Sequence, residues 1–542
     1  MIFGRGLFAG AAGCKSGQMP VYERHTHLPY PRPEVFDWFT RPGALVRLSP
    51  PFSGSVRQEP TDGIEPGSTA VLGIGAPGSL GLGLGSATGF LAGQLPFRRP
   101  DWAAPELPWR ARHTELVPGE MFQDVMESGP LAAWTHTHLF EDAGVSAGTP
   151  GHVQPEATGM TDRIEYELPG GGLLEKASGA LPGPLGKLGR VPEKVFEVEL
   201  ARIFAYRERQ LLGDLAFHAE HAGPLTGGRT LTVAVAGASG LIGTQLCALL
   251  AGGGHTVLRL VRGEPGGAGA EDREDVIAWD PATGSLDADA LARADVVVNL
   301  AGESIGGRYT PERKRAILDS RVDGTALLAR ALADLAADGL QRTLVNGSAV
   351  GYYGAHASDG DQWLGEDAPA GEDFLAQVCR DWEDATALAQ TAGVRTVLVR
   401  TGIVQSPAGG MLQQMLPLFV AGAGGPLGVA GGRDPWISWI GIDDVAGIFA
   451  HAVLDGELEG PVNAVAPEPV RASEFARVLG RVLHRPSVIP VPGFGPRALL
   501  GTEGAELMVE ASQRASAARV EGSGYLFRTP DLESTLRHVL GR

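Results

Sequence analysis

Cysteine is scarce in this chain: its 542 residues include three, Cys14, Cys247 and Cys379. Thiols this far apart give no disulfide framework, and they lack the paired spacing of a cysteine metal cluster. This scarcity is typical of reducing compartments, so we expect a cytoplasmic protein. Long apolar runs are also missing, which excludes a membrane-spanning segment and argues against a membrane partner.

The chain has few basic residues for its number of acidic ones: 45 Lys and Arg against 63 Asp and Glu, which gives a net charge of -18. So acidic a protein is a poor partner for nucleic acid, and we expect none. The first eighteen residues loosely resemble a signal peptide ending at Cys14, but with one Arg and a very short apolar core. We therefore favour a disordered extension over 1–18, or a natural start at Met19.

Residues 231–243 carry the strongest functional signal. They begin with a short apolar run at 231–236, which predicts a buried parallel strand, and they lead into an apolar, alanine-rich segment at 241–250, which predicts a helix. Between these, Gly237, Gly240 and Gly243 recur every three residues. The first lets the chain turn, the second leaves room for a pyrophosphate, and the third lets the helix pack on the sheet. The motif predicts a dinucleotide site, assisted by the helix dipole, rather than a plain strand–helix turn.

A chain of this length should hold more than one domain. Residues 19–221 predict an α+β domain with a long closing helix, which has apolar positions at Val195, Val198 and Leu211. Gly-rich stretches at 78–93 and 144–159 predict loops. The expected strands are 21–27, 113–117, 121–125, 133–140 and 161–168, and the expected helices are 33–39 and 194–221.

Strands closed by one long helix make a cup. With the segments PEVFDWF (33–39) and FAYRERQ (204–210), residues 19–221 resemble the START-like, polyketide-cyclase-type helix-grip domains. The resemblance implies a small apolar ligand and no catalytic residue. His136 and His138 point to one face of a predicted strand, but no third ligand stands near them in the sequence. We therefore favour a polar sheet face over a metal site and predict no metal.

After a Gly- and Pro-containing linker at 222–230, strands and helices alternate. This rhythm predicts a doubly wound parallel sheet of the Rossmann type, covered on both faces, over 231–485, and a small domain over 486–542. The expected later elements are strands at 256–261, 295–300, 343–348 and 395–400 and helices at 311–335 and 374–392.

Several motifs together resemble the atypical, epimerase-family branch of the extended short-chain dehydrogenase/reductases. The resemblance spans roughly 310 residues and includes the small C-terminal domain. Its motifs are the turn 237–243, NLAGE (299–303), RKRAILDSR (313–321), Gly324 with Thr325, SAVGYYG (348–354), RTGIV (400–404), PWISWI (435–440), and the tail from 491–497 to 530–533.

The residue at the end of the second strand of the predicted Rossmann sheet indicates which of the two cofactors, NAD or NADP, is bound. An NAD site usually has an acid there, whereas this chain has Arg262, whose guanidinium suits the 2′-phosphate of NADP. A solvent-facing arginine is the alternative. Together, the motif and the resemblance imply NADP contacts at Gly237, Ala238, Ser239, Gly240, Leu241, Ile242, Gly243, Val261, Arg262, Asp280, Pro281, Asn299, Leu300, Ala301, Gly302, Glu303, Arg308 and Ile403.

Catalysis is where the sequence departs from the resemblance. The related reductases pair a Ser with a Tyr-x-x-x-Lys helix, in which the Lys lowers the tyrosine pKa. Ser348 stands in the serine position, but Leu375 and Cys379 replace the Tyr and the Lys. Tyr352 could substitute as the proton donor or be a packing residue. Residues 422–432 form either a lid or a plain loop.

Two functions stay open at this point. One is an NADP-dependent oxidoreductase or epimerase of unknown substrate with a fused domain for an apolar ligand. The other is a sensor that binds NADP(H) without turnover. The expected partners are a nicotinamide dinucleotide, a small-molecule substrate and the apolar ligand. The oligomeric state is open, with a homodimer as one option.

Overall fold

The computed structural model describes residues 19–75, 106–143, 157–168, 193–221, 229–263, 274–429, 433–487 and 494–542. The predicted extension over 1–18, the loop at 78–93 and most of the stretches 144–159 and 222–230 lie outside these ranges. Among the helices within them, none combines the length and apolarity needed to cross a bilayer.

The N-terminal part is an antiparallel sheet with a long helix packed on one face. Its sheet order is β1-β7-β6-β5-β4-β3-β2, so β2 to β7 form a meander and β1 is added beside β7. The elements are β1 Val21–Leu28, α1 Arg32–Thr40, α2 Ala44–Leu48, β2 Gly54–Gln58, β3 Thr69–Gly75, β4 Glu106–Val117, β5 Met121–Ser128, β6 Ala133–Asp142, β7 Thr158–Glu167 and α3 Glu193–His221.

The long helix α3 buries its apolar stripe against the sheet, as its spacing predicts. Leu211 packs with Phe122, and Phe204 packs with Ile164. Val195 and Val198, predicted from the same spacing, are exposed to 51% and 68%. At about 100° per residue these two valines fall on the face of the helix opposite Phe204 and Leu200, so that part of the prediction is wrong.

The second part is an α/β unit followed by small helices. Its elements are β8 Thr232–Ala236, α4 Leu241–Gly252, β9 Thr256–Arg262, β10 Val276–Asp280, β11 Ser285–Leu286, α5 Ala288–Leu291, β12 Val296–Asn299, α6 Pro311–Leu335, β13 Thr343–Ala349, α7 Phe374–Asp384, α8 Ala387–Thr391, β14 Arg395–Thr401, β15 Ile403–Gln405, α9 Gly410–Val420, β16 Trp436–Ile437, β17 Trp439–Gly441, α10 Ile442–Leu454, β18 Gly460–Ala464, β19 Val470–Arg471, α11 Ala472–Leu483, α12 Phe494–Met508, α13 Ala518–Gly522 and α14 Leu532–Leu540.

The main sheet of this unit has the order β11-β10-β9-β8-β12-β13-β14-β18. Neighbours from β10 to β18 pair in parallel, and β11 is antiparallel at the edge. Leu246 of α4 packs on one face against Val233, and Leu328 of α6 packs on the other against Ala234. The predicted doubly wound Rossmann-type sheet is confirmed.

One predicted helix is interrupted. The helix expected over 374–392 is two helices, α7 and α8, because the chain leaves the regular helical path between Asp384 and Ala387. Thr386 there donates its hydroxyl proton to the Glu383 carbonyl oxygen at 2.7 Å. Such a local hydrogen bond competes with the helical pattern.

The two parts of the chain are in direct contact. Gly43, at the start of α2, has a left-handed φ of +89° and lies against α4. A Cβ at this position would lie 2.5 Å from Ala248 Cα, so this close approach requires glycine. The N-terminal part therefore packs on the helix that follows the glycine turn.

Candidate functional site

The glycine turn lies where the order of the strands reverses. β8 has β9 on one side and β12 on the other, so its carboxyl end opens into the crevice where doubly wound folds bind ligands. Gly237 leaves β8 with a φ of +78°, and a Cβ there would lie 2.7 Å from the Leu300 carbonyl oxygen. At Gly243 a Cβ would lie 2.2 Å from the Gly237 oxygen. Both positions therefore require glycine for the turn itself.

Gly240 is different, because its surroundings are open. It has extended backbone angles, φ −75° and ψ 173°, and begins α4 without a side-chain cap among the described residues. A Cβ there would contact the Gly237 oxygen at 3.2 Å and nothing else described within 4 Å. The N–H groups of the first turn of α4 therefore face exposed space, an arrangement that suits an anion.

The adjoining strand end is held by a buried amide network. Asn299, at the end of β12, donates through Nδ2 to Thr325 Oγ1 at 2.8 Å and to Asn346 Oδ1 at 2.9 Å. Its Oδ1 accepts from the Ala301 N–H at 3.2 Å. Asn299 is 1% exposed, so its side chain shapes the turn beside Gly237 from within the protein.

The other predicted cofactor residues follow the carboxyl ends of neighbouring strands. Val261 and Arg262 end β9 and are exposed, and Asp280 ends β10 and accepts from the Ala282 N–H at 3.0 Å. In the part of the chain that the structure describes, the Arg262 guanidinium has no hydrogen bond or ion pair. The structure brings these side chains to the same edge of the sheet as the glycine turn.

Three further predicted residues have protein partners. Glu303 accepts from Arg313 Nη1 at 3.1 Å, and Arg308 donates to the Ala498 carbonyl oxygen of the small domain. Ile403 begins β15, where its N–H donates to the Ser438 oxygen at 2.8 Å. Glu303 and Arg308 thus lie where the loop after β12 meets helices α6 and α12.

Ser348 is part of a buried ion-pair network that the sequence did not reveal. Its hydroxyl donates to Glu383 Oε1 at 2.6 Å, and Arg400 donates to both Glu383 oxygens at 2.9 Å. Arg400 Nη1 also donates to the Tyr353 hydroxyl at 3.2 Å, and that hydroxyl donates to Asn463 Oδ1 at 2.7 Å. Although burial opposes its charge, the Glu383 carboxylate raises the pKa of Arg400 above its ordinary value. The sequence signal available for this network was Ser348 and Arg400 at the ends of two predicted strands, with Glu383 on the predicted helix between them.

Tyr352 lies beside this network with its ring against the Arg400 guanidinium, 3.5 Å from ring centre to carbon. Within the described ranges its hydroxyl has no protein hydrogen bond. Tyr353 next to it is buried, and burial raises its pKa to about 12. Of the two tyrosines, Tyr352 is therefore the one whose hydroxyl can donate to a bound molecule.

The helix face that would carry a Tyr and a Lys lies against the Tyr352 segment. A Cβ at Gly351 would lie 3.7 Å from both Leu375 Cβ and Cys379 Sγ on α7. Burial raises the pKa of the Cys379 thiol to about 12, so it stays protonated at neutral pH and packs as an apolar group. Leu375 and Cys379, the positions where the resemblance would put the Tyr and the Lys, therefore lie beside the Tyr352 segment and lack that chemistry.

Residues 422–429 belong to the segment interpreted as a lid or a loop, and 430–432 lie outside the described residues. Gly428, with φ +73°, would place a Cβ 2.4 Å from the Val509 carbonyl oxygen. This end of the segment therefore packs on the small C-terminal domain.

These features define the class of the protein. A parallel sheet in this order, with a glycine turn at the reversal point, is the Rossmann-type fold of dinucleotide-binding epimerases and dehydrogenases. Residues 233–464 match the model of the NAD dependent epimerase/dehydratase family. Residues 491–539 match a domain of unknown function, DUF1731.

Individual proteins of known sequence or structure show which family within this class the chain is similar to. An epimerase family protein of Mycobacterium bovis is 42% identical over 310 residues, which are 57% of this chain and 96% of that protein. One from Bos taurus is 36% identical over 315 residues, 57% of this chain and 100% of that protein. The crystal structure of the nucleoside-diphosphate sugar epimerase from Corynebacterium glutamicum is 32% identical, covers 96% of this chain and 90% of that chain, and has a TM-score of 0.68. The chain belongs to this epimerase family.

Proposed function

We propose that the chain binds NADP(H) at the turn after β8 and uses it in an oxidoreductase or epimerase reaction on a small molecule. The exposed N-terminus of α4 behind Gly240 is the observation that carries this proposal. A pyrophosphate at that point would accept hydrogen bonds from backbone N–H groups and gain from the helix dipole. Membership in the epimerase family supports the same cofactor class.

The preference for NADP rests on Arg262. Its side chain is exposed at the end of β9, beside the end of β10 at Asp280. That is where doubly wound folds contact the adenosine ribose, and a guanidinium there can pair with a 2′-phosphate. Val261 and Pro281 would lie beside the adenosine, and Ile403 near the nicotinamide.

The Arg262→Gln substitution tests this preference. We expect NADPH affinity to fall about tenfold, or about 1.4 kcal/mol, while NADH affinity changes little, because one charge-assisted hydrogen bond to phosphate is lost. Isothermal titration calorimetry of the full chain with both nucleotides measures this.

Arg330→Gln is the matched control, because Arg330 is exposed on α6, away from the strand ends. It should leave both affinities unchanged. If wild-type protein binds NADH as tightly as NADPH, the role of Arg262 is refuted. If it binds neither, the proposed function is refuted.

For chemistry, we propose Tyr352 as the proton donor and Ser348 as the residue that positions it through Glu383 and Arg400. The relative from Corynebacterium glutamicum is described as a nucleoside-diphosphate sugar epimerase. Nucleoside-diphosphate sugars are therefore the first substrate class to assay. In this proposal NADP(H) supplies hydride transfer, and the chain supplies the proton and the orientation.

Tyr352→Phe keeps the ring on Arg400 and removes only the hydroxyl. We expect turnover to fall about 100-fold with unchanged NADPH affinity, the usual scale for a lost general acid. NADPH oxidation in stopped flow measures the rate, and Ser348→Ala should also reduce it. Tyr353→Phe, which loses the Asn463 hydrogen bond, should mainly lower the melting temperature.

A second function, a non-catalytic NADP(H) sensor, is favoured by one specific observation. The face of α7 next to Gly351 presents Leu375 and Cys379, which can neither exchange a proton at neutral pH nor lower the pKa of a tyrosine. Tight NADPH binding without turnover on any carbonyl or sugar-nucleotide substrate would select this function over the enzyme.

For the N-terminal domain we propose a START-like cup that holds an apolar ligand. Its strand order and the long helix α3 packed on one sheet face support the proposal. Native mass spectrometry of the purified chain tests it, since a retained apolar molecule is the expected result.

A further inference from the structure

Two histidines and two aspartates meet on the sheet face that α3 covers. His136 and His138 lie two residues apart on β6, so their side chains share this face. The strand register places Asp124 of β5 opposite His136, and Asp162 of β7 opposite His138. Four groups with metal-ligating chemistry therefore come from three adjacent strands.

The atoms of these groups converge. His136 Nε2 and Asp162 Oδ1 are 3.0 Å apart and hydrogen-bonded. His136 Nδ1 then lies on the opposite side of its ring, 3.5 Å from Asp124 Oδ2. The rings of His136 and His138 are 4.0 Å apart between centroids. One ligand atom from each of Asp124, His136 and His138 fits within a mutual distance of 4.8 Å.

The Nδ1 atom of His138 lacks a well-aligned hydrogen-bond partner among the described residues. This nitrogen is buried and lies 2.9 Å from Asp162 Oδ1, yet in the described part of the chain it has no partner with hydrogen-bond geometry. The residue is 3% exposed, so water does not reach most of it. A buried nitrogen whose neighbouring carboxylate is poorly aligned loses part of its hydrogen-bond energy, and a bound ligand would restore it.

The surroundings contain other charged or titratable groups. The positive charge of Arg207 on α3 is near enough to interact with both Asp162 and Asp124, and His113 of β4 lies opposite Asp124. A single guanidinium balances only one of the two carboxylates. One negative charge of the two carboxylates is therefore left for a cation to balance.

The donor set defines the cation. Imidazole nitrogens with carboxylate oxygens suit zinc and related divalent transition metals, whereas calcium and magnesium prefer oxygen alone. A carboxylate that accepts from the far nitrogen of a ligating histidine orients that ring and makes it a better ligand. Asp162 holds His136 in this way.

We propose that the N-terminal domain binds one divalent transition-metal ion, with zinc as the reference, through Asp124, His136 and His138, and that Asp162 orients His136. The sequence predicts a polar sheet face without a metal; the four residues do lie on one sheet face, and the proposal departs from that prediction in assigning them a metal ion. The third ligand escaped the sequence because Asp124 is on a neighbouring strand, twelve positions before His136. The proposal does not depend on dinucleotide binding.

The test uses the full chain, stripped with EDTA and exchanged into metal-free buffer. It is titrated with ZnCl2 in a calorimeter, and zinc retained after gel filtration is counted by elemental mass spectrometry. We expect one zinc per chain in the wild type and none retained in His136→Ala or Asp124→Asn. Asp162→Asn should raise the zinc Kd about 10- to 100-fold, the usual effect of losing an orienting partner.

His356 supplies the matched control. It is on the surface, 3.4 Å from Asp359 and 3.3 Å from Glu506, so it is a histidine beside two carboxylates outside the proposed site. His356→Ala should keep one zinc. Wild-type protein without retained zinc, or His136→Ala and Asp124→Asn with the wild-type count, would overturn the proposal. Should His136→Ala unfold, Asp124→Asn decides, because the Asp124 side chain is partly exposed at 16% and the amide is nearly isosteric.

Discussion

Replacing Arg47 by methionine is expected to destabilise the chain by about 3–5 kcal/mol, the usual cost of leaving buried charges without their partner. Arg47 on α2 is fully buried and donates to Asp214 of α3 through Nε and Nη2, both at 2.8 Å. Nη2 also lies 2.9 Å from Asp443 of α10, and Nη1 donates to Gln245 of α4 at 2.7 Å. One guanidinium therefore joins the N-terminal domain to two helices of the Rossmann unit.

The loss of stability in Arg47→Met should be greater at neutral than at acidic pH. Although burial favours the neutral acids, Arg47 holds the pKa of both Asp214 and Asp443 below their ordinary values. A lowered folded-state pKa gives stability that is present above about pH 4, the pKa of the unfolded carboxylate, and is lost as the pH falls through the folded value. Without Arg47 both pKa values should rise. The difference between variant and wild type should therefore be largest near pH 7 and shrink toward about pH 4.

Urea unfolding at several pH values, followed by tryptophan fluorescence, measures both effects. Arg330→Met is the control, and as an exposed substitution it should stay within about 0.5 kcal/mol of wild type. Arg47→Lys keeps the charge but loses the paired geometry, so it should be intermediate. A stability of Arg47→Met equal to that of the control at pH 7 would show that the cluster contributes nothing.

Local patterns in the sequence were enough to predict the Rossmann unit. The glycine turn, α6 over Pro311–Leu335 and the buried strands each depend on residues close together in the chain. The candidate cofactor residues outside the glycine turn came from the family resemblance, and they remain a prediction. The parallel sheet accounts only for their common edge, because its strand ends fall on one side. In the N-terminal part, the first strand and long helix were predicted, but β2 and β3 were not, since Gly and charged residues interrupt their alternation.

What the sequence could not give are contacts between distant residues. Arg47 and Asp214 are 167 positions apart, and Gln210 donates to Asp443 from 233 positions away. Glu383 and Arg400 lie closer, but their pairing depends on how α7 packs on β13, the strand next to β14. In each case the sequence alone would predict an exposed charged residue, because its buried ion-pair partner is identified only from the folded structure.

Replacing Gly240 by valine is expected to weaken NADPH binding at least about 1000-fold while the fold is retained. The branched side chain would occupy the space in front of the first turn of α4 and exclude the pyrophosphate from its N–H groups. Losing two or three hydrogen bonds to an anion, at about 1.5–3 kcal/mol each, accounts for about 4 kcal/mol. The backbone angles at Gly240 suit any residue. A Cβ there would lie 3.2 Å from the Gly237 carbonyl oxygen, a tight contact that requires a shift of a few tenths of an ångström, so we expect the fold to be retained at a small cost in stability.

This tolerance makes Gly240 a sharper probe than its neighbours. Gly243→Ala would force a Cβ to 2.2 Å from a backbone oxygen, so lost binding there could reflect lost structure. Gly522→Val is the matched control, since Gly522 is exposed at the end of α13 with nothing described within 4 Å. Calorimetry with NADPH compares the wild type, Gly240→Val and Gly522→Val, and circular dichroism checks that each variant is folded. A folded Gly240→Val protein that binds NADPH like the wild type would place the pyrophosphate elsewhere and remove the basis for both the enzyme and the sensor.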